Sequence, residues 1–134
     1  MKVLHLSHAD IFGGAGKTAH RLHTSLLESG IDSNMAVLHQ GSNDPTVRRA
    51  MGAGFANKFL FHGARILNAK IDTWIDPNFN FSADLFGVPS AGWHNQIQNI
   101  DILHLHYING FVTSSQIAKA ARVTGASVVW TVHD

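Results

Sequence analysis

Residues 1–39, MKVLHLSHADIFGGAGKTAHRLHTSLLESGIDSNMAVLH, decide the fold. Val3–Ser7 is a short apolar run of the kind that forms a buried strand. Gly13-Gly14-Ala15-Gly16 then makes a turn, and from Ala15 to Ser29 the pattern becomes helical. Ala15, Ala19, Leu22 and Leu26 recur along one face, while Lys17, Arg21, Thr24 and Glu28 fall on others. Gly30 is a natural helix stop. Ser33–His39 reads as a second strand, closed by the loop Gln40-Gly41-Ser42-Asn43-Asp44-Pro45. A strand, a glycine turn, a helix and a strand in close succession make a βαβ unit, which requires a parallel sheet.

The same pattern returns near the other end. Asp101–His106 reads as a strand, Tyr107-Ile108-Asn109-Gly110 as a turn, and Phe111–Val123 as a helix with Val112, Ile117, Ala120 and Ala121 inward. Ser127–Val132 is a continuous β-branched strand, as expected where both faces are covered. The middle, from Val47 to Gln98, is less patterned. Phe55–Asp72 reads as a helix with Phe55, Phe59, Ile66 and Leu67 as apolar contacts. Asp76-Pro77-Asn78-Phe79-Asn80-Phe81-Ser82 reads as an aromatic loop, and Trp93–Ile100 as a short helix. This region is expected to be an elaborated crossover packed on the sheet; a surface facing a membrane or an acceptor is the other reading. The predicted class is α/β, a Rossmann-like doubly wound parallel sheet in one domain.

Bulk properties bound the function. The chain has 134 residues, 45% of them hydrophobic and only 14% charged, with a net charge of +1. That length carries one real core, and that charge gives no field for nucleic acid. With no cysteine, disulfides and thiolate metal sites are excluded. The chain opens Met1-Lys2 and enters a strand directly, without signal-peptide architecture, and no apolar stretch is long enough to span a bilayer. It stops on Thr131-Val132-His133-Asp134, at the end of a strand, which suggests a truncated chain.

His8, His39, His106 and His133 each fall at or just past the end of a strand-like run. In an open parallel sheet the carboxyl edge is where ligands bind, so His106 and His133 are the leading functional candidates. Neutral imidazole exchanges hydrogen bonds with sugar hydroxyls and, when protonated, attracts phosphate. His104 and His106 share a strand face, and His133 with Asp134 ends a neighbouring strand. A metal site there is conceivable but no local spacing fixes a third ligand, and none is predicted. His5 and His104 read as core or sheet-face residues; His20, His23, His62 and His94 read as surface.

Phe12-Gly13-Gly14-Ala15-Gly16-Lys17-Thr18 invites three readings. A nucleotide-hydrolysing P-loop over Gly13–Thr18 would need glycine where Ile11 stands, or lysine where Phe12 stands. A dinucleotide fingerprint matches only in relaxed form, with Ala19 in the third glycine position and no acidic residue after His39-Gln40. A looser anion-binding turn remains: glycines let backbone approach a diphosphate or a hydroxyl-rich sugar, and the helix start offers free N–H groups. A turn needed only for close helix–strand packing is the plain alternative.

Taken together, these segments resemble the N-terminal domain of retaining glycosyltransferases of the GT-B fold, the exopolysaccharide and colanic-acid type of family 4. The opening strand with Gly13-Gly14-Ala15 looks like that family's first strand and glycine loop. Asp101-Ile102-Leu103-His104-Leu105-His106-Tyr107-Ile108-Asn109-Gly110 and Val128-Val129-Trp130-Thr131-Val132-His133-Asp134 look like two of its later motifs. Asp76-Pro77 and Ser82-Ala83-Asp84-Leu85-Phe86-Gly87 have the look of the same branch. The resemblance implies sugar transfer from a nucleotide-sugar donor to a glycan or lipid-linked acceptor, with retention and without a metal or other cofactor. It implies that His133 is catalytic, that Gly13, Gly14 and Ala15 approach the donor diphosphate, and that His8, His106, Asn109 and Asp134 line the acceptor side. It further implies a cytoplasmic location, contact with the inner face of a membrane, and a second, donor-binding domain that this chain lacks; alone, the chain is expected to be inactive. A P-loop-like switch ATPase and a non-catalytic Rossmann-like binding module stand as the alternatives.

Overall fold

The structure, a computed structural model, describes residues 1–51, 55–75, 85–87, 93 and 96–133, apart from the side chains of 55–58. Its elements are β1 (Lys2–Ala9), α1 (Gly13–Glu28), β2 (Asp32–His39), β3 (Val47–Arg49), α2 (Phe55–Ile75), β4 (Ile102–Leu105), α3 (Ser114–Thr124) and β5 (Ser127–Trp130). The five strands form one sheet in the order β3-β2-β1-β4-β5. Every pairing is parallel: His5 lies opposite both Met35 of β2 and His104 of β4, and His104 lies opposite Val129 of β5. The fold is therefore the expected Rossmann-like α/β sheet.

Side-chain alternation divides the strands between two layers. Leu4, Leu6, Ala36, Leu38, Leu103 and Leu105 point to one face, where they bury Phe61 of α2, Trp93, Ile97, Phe111 and Ala120 of α3. Val3, His5, Ser7, Ser33, Met35 and Val37 point to the other, where α1 covers them with Ala19 and His23. Chain order reverses at β1: β2 lies on one side and β4 on the other. The gap between the carboxyl ends of β1 and β4 is thus the topological switch point, where such sheets bind ligands.

Several expectations need correction. β5 was expected to be covered on both faces, yet it is the sheet edge and Val128, Val129 and Trp130 are all exposed. A β-branched run records β propensity, not coverage. The α2 contacts were also misplaced: Phe59, Ile66 and Leu67 are exposed, while Phe61 and Asn68 are buried. Asn68 turns inward because it clamps backbone, donating from Nδ2 to the Phe86 carbonyl (2.8 Å) and accepting from the Phe86 N–H (3.1 Å). In the Trp93–Ile100 segment Trp93 is helical, whereas Gln96, Gln98 and Asn99 lie in turns, so the helix does not run on to Ile100; Trp93, Ile97 and Ile100 are buried. The α3 helix begins at Ser114, not Phe111, because Thr113 and Gln116 form a reciprocal capping box. β3 is short, carries two arginines, and has no clear sequence signal. The expected loop at 76–82, Ser82–Asp84, and the residues His94 and Asp134 lie outside the described residues.

Candidate functional site

The site grows from the start of α1. Phe12 occupies the N-cap in an extended conformation, with no side-chain cap bond, and the first turn carries no acidic residue. The leading N–H groups of a helix have no partner within it, and they carry the positive end of its dipole. Here they open into a cleft of about 620 Å³ lined by Ser7, His8, Ala9, Phe12, Gly13, Gly14, Ala15, Gly16, His39 and Tyr107. The cleft therefore sits on the switch point and holds the whole glycine turn.

The three glycines do different work. Gly13 has φ +69°, a conformation that favours glycine. A Cβ on Gly14 would meet nothing within 4 Å, so the space beside it is free. A Cβ on Gly16 would stand 2.8 Å from the Ala9 carbonyl oxygen, so Gly16 lets α1 press against the end of β1. Packing explains Gly16 and leaves Gly14 unexplained by packing.

Asp10, which the sequence reading did not single out, braces the loops beside the cleft. Fully buried, it accepts hydrogen bonds from the N–H groups of Ile11 (2.8 Å), Gly41 (2.8 Å) and Ser42 (2.9 Å). Burial acts to raise its pKa, but the bonds from Ser42, Gly41 and Ile11 outweigh this and hold it at about 2. This carboxylate ties the loop after β1 to the loop after β2. An acidic residue just after a strand, ahead of a glycine turn, was the available signal.

The walls are imidazole and phenol. His8 is half-buried, its ring 5.0 Å from that of His39 and 5.9 Å edge-on from Tyr107. Burial, then the neighbouring His39 and Arg65, lower the His8 pKa, so at neutral pH it is an uncharged donor and acceptor. A second hollow of about 440 Å³ adjoins across His8 and Tyr107 and is lined also by Arg65, Asn68, Asp72, Asn109 and Gly110. His8, Asn109, Gly13, Gly14 and Ala15 are thereby brought to two connected hollows on one edge.

His106 and His133 are placed differently. His106 is only 1% exposed and does not line the cleft. Its Nε2 lies 3.0 Å from Nδ1 of the fully buried His5, and its Nδ1 lies 3.3 Å from Nε2 of His133. His133, half-buried, sits just beyond β5 at the end of this histidine row. Burial first, then the adjoining histidines, push the pKa of both His5 and His106 down to about 3.

His23, read from sequence as surface, is fully buried on the sheet-facing side of α1. Both its nitrogens are satisfied, by Ser33 Oγ and Thr46 Oγ1 at 2.7 Å each. His20 is half-buried and 3.5 Å from Asp44, whereas His62 is exposed as expected. Lys17 is exposed in the second turn of α1 and is not among the cleft residues.

The fold and the cleft together define a Rossmann-like α/β protein with a glycine-lined helix start at its switch point. Comparison with protein-family models, with curated proteins and with solved structures returned no match. Among the described residues, no helix is long and apolar enough to cross a membrane.

Proposed function

We propose that the chain is the acceptor-side, N-terminal domain of a retaining GT-B glycosyltransferase that moves a sugar from a nucleotide-sugar to a glycan or lipid-linked acceptor. One observation carries this reading: an uncapped helix start, with open space at Gly14, faces a cleft at the switch point walled by the hydrogen-bonding rings of His8, His39 and Tyr107. Backbone N–H groups of Gly13, Gly14 and Ala15 suit the charge that develops on a departing diphosphate. His8 and Asn109 suit acceptor hydroxyls in the adjoining hollow. His133 is assigned to the donor sugar, and His106, too buried for an acceptor, acts as the positioning residue that holds its ring. Asp134 keeps its proposed place on the acceptor side. The donor nucleotide pocket belongs to a second domain, and the reaction is assigned no metal.

Amide NMR with uridine and guanosine diphosphates tests the assignment. The expected shifts fall on Gly13, Gly14 and Ala15, and Lys17→Ala leaves the affinity within twofold. No shift at those amides would sink the reading. A tenfold or larger loss on Lys17→Ala, with binding of a nucleoside triphosphate, would instead favour the ATPase.

We also propose a cytoplasmic location with peripheral contact at the inner face of a membrane. The support is the outer face of α2, where Phe59, Ile66 and Trp74 are 72%, 60% and 86% exposed around the exposed cation Lys70. Such a face suits an anionic lipid surface. Co-sedimentation with vesicles containing phosphatidylglycerol should fall at least fivefold in the double variant Ile66→Ser and Trp74→Ser; unchanged sedimentation removes the proposal.

A further inference from the structure

The sheet face under α1 carries a row of imidazoles that the cleft does not use. His104 lies on β4 and His106 just past its end, their rings stacked at 4.3 Å, and His5 lies opposite His104 on β1. The His5 ring is 5.1 Å from that of His104 and 5.3 Å from that of His106. One ring nitrogen from each of the three lies within 4.8 Å of the others. The His5–His106 separation of 3.0 Å is close to that of two nitrogens sharing one tetrahedral ion, about 3.3 Å for metal–nitrogen bonds of about 2.0–2.1 Å.

The surroundings are those of a ligand set. Metal-bound histidines are oriented by a hydrogen bond from the second ring nitrogen. His104 Nε2 is held by Thr131 Oγ1 at 2.8 Å, and His106 Nδ1 by His133 Nε2 at 3.3 Å. With Thr131 Oγ1 and His133 Nε2 accepting, Nδ1 of His104 and Nε2 of His106 carry the lone pairs, the latter lying against His5 Nδ1. His5 Nε2 is buried and has no hydrogen-bond partner among the described residues. Low basicity keeps the rings in the neutral form that ligates. Access exists from one side, since α1 covers β1 and β2 while His104 and the β5 edge are only partly covered.

We propose that His5, His104 and His106 form a binding site for a divalent transition-metal ion of zinc type, with Thr131 and His133 orienting two of the ligands. Two histidines in alternate positions, one on β4 and one just past its end, converge with a third in register on β1. Three nitrogen ligands leave one tetrahedral position for water or an anion. Imidazole donors select zinc, copper or nickel over magnesium or calcium. The site does not rest on the glycosyltransferase reading.

The test is zinc titration of the metal-stripped 134-residue chain, followed by long-range nitrogen NMR of the histidine rings. One Zn²⁺ per chain is expected, with the bound nitrogens of His5, His104 and His106 shifted and those of His20, His23 and His62 in place. His104→Gln and His106→Gln should each weaken binding tenfold or more, Thr131→Ala by about tenfold, and His20→Gln by less than twofold. Magnesium should produce no ring shifts. Zinc that binds with shifts confined to other histidines, or that fails to bind at 100 µM or more, overturns the proposal. The wild-type ring shifts decide the matter even where a core variant fails to fold. Neither result depends on nucleotide binding, so this site and the proposed sugar transfer stand or fall separately.

Discussion

In chelator-treated buffer, the free energy of unfolding is expected to drop by about 4 kcal/mol between pH 7.5 and pH 5. The cause is the pair of fully desolvated rings. His5 and His106 titrate at about 3 in the fold, against 6.5 for an ordinary histidine. Below pH 6.5 the unfolded chain takes up a proton at each ring while the folded chain does not. Stability is therefore fully present above 6.5 and falls as the pH drops from there toward 3. Each ring contributes about 1.4 kcal/mol per pH unit in that window, hence about 2 kcal/mol each by pH 5. A domain of this size has only about 5–15 kcal/mol in hand. Asp10 adds a second loss at lower pH: its carboxylate, held at about 2, stabilises the fold above pH 4, and that contribution fades as the pH falls through 2. Urea melts at pH 7.5, 6 and 5 measure the slope, and His5→Leu should roughly halve it. A midpoint unchanged between pH 7.5 and pH 5 would show that the two rings are solvated.

The second large effect separates two glycines that look alike in sequence. Gly14→Asp should leave the fold intact or slightly firmer. Gly14 faces open space, its φ is not in the positive range, and an acidic residue in the first turn favours the helix by about 0.3–1 kcal/mol. The same change should weaken nucleoside diphosphate binding at least tenfold, because it fills the seat and sets negative charge against the phosphates. Gly16→Ala should do the reverse. Its Cβ would stand 2.8 Å from the Ala9 oxygen and 3.3 Å from the Asp10 oxygen, both backbone atoms that cannot swing aside. Overpacking of this kind destabilises by about 1–3 kcal/mol, more than helix propensity returns, about 1 kcal/mol. Thermal melts and diphosphate titrations on both variants check the pair. Equal diphosphate affinity in wild type and Gly14→Asp would remove the cleft as the anion site.

Much of this was visible in residues 1–39 and 101–127. Periodicity of two and then of near four, with glycine at the turns, marks β1, α1, β2 and β4, because burying one stripe of each helix against a sheet leaves that imprint. The cleft's contents were visible in part: Gly13, Gly14 and His8 follow β1, and anything that follows β1 must reach the carboxyl edge. His23 was not, since its burial depends on Ser33 and Thr46, which β2 and the loop after it bring to its two nitrogens. Nor was the inward face of α2, where apolar residues occur all round and a backbone clamp at Asn68 settles the rotation.

The sequence by itself determined the class of fold and the edge on which chemistry collects, because local propensity and side-chain period are properties of neighbouring residues. Only the tertiary structure decided which histidines meet. His104 and His106 share a face by spacing alone, but His5 joins them through the register of β1 against β4, a hundred residues apart in the chain. Parallel pairing carries no local code for its partner, so the assembled sheet makes the triad and turns His106 away from the cleft.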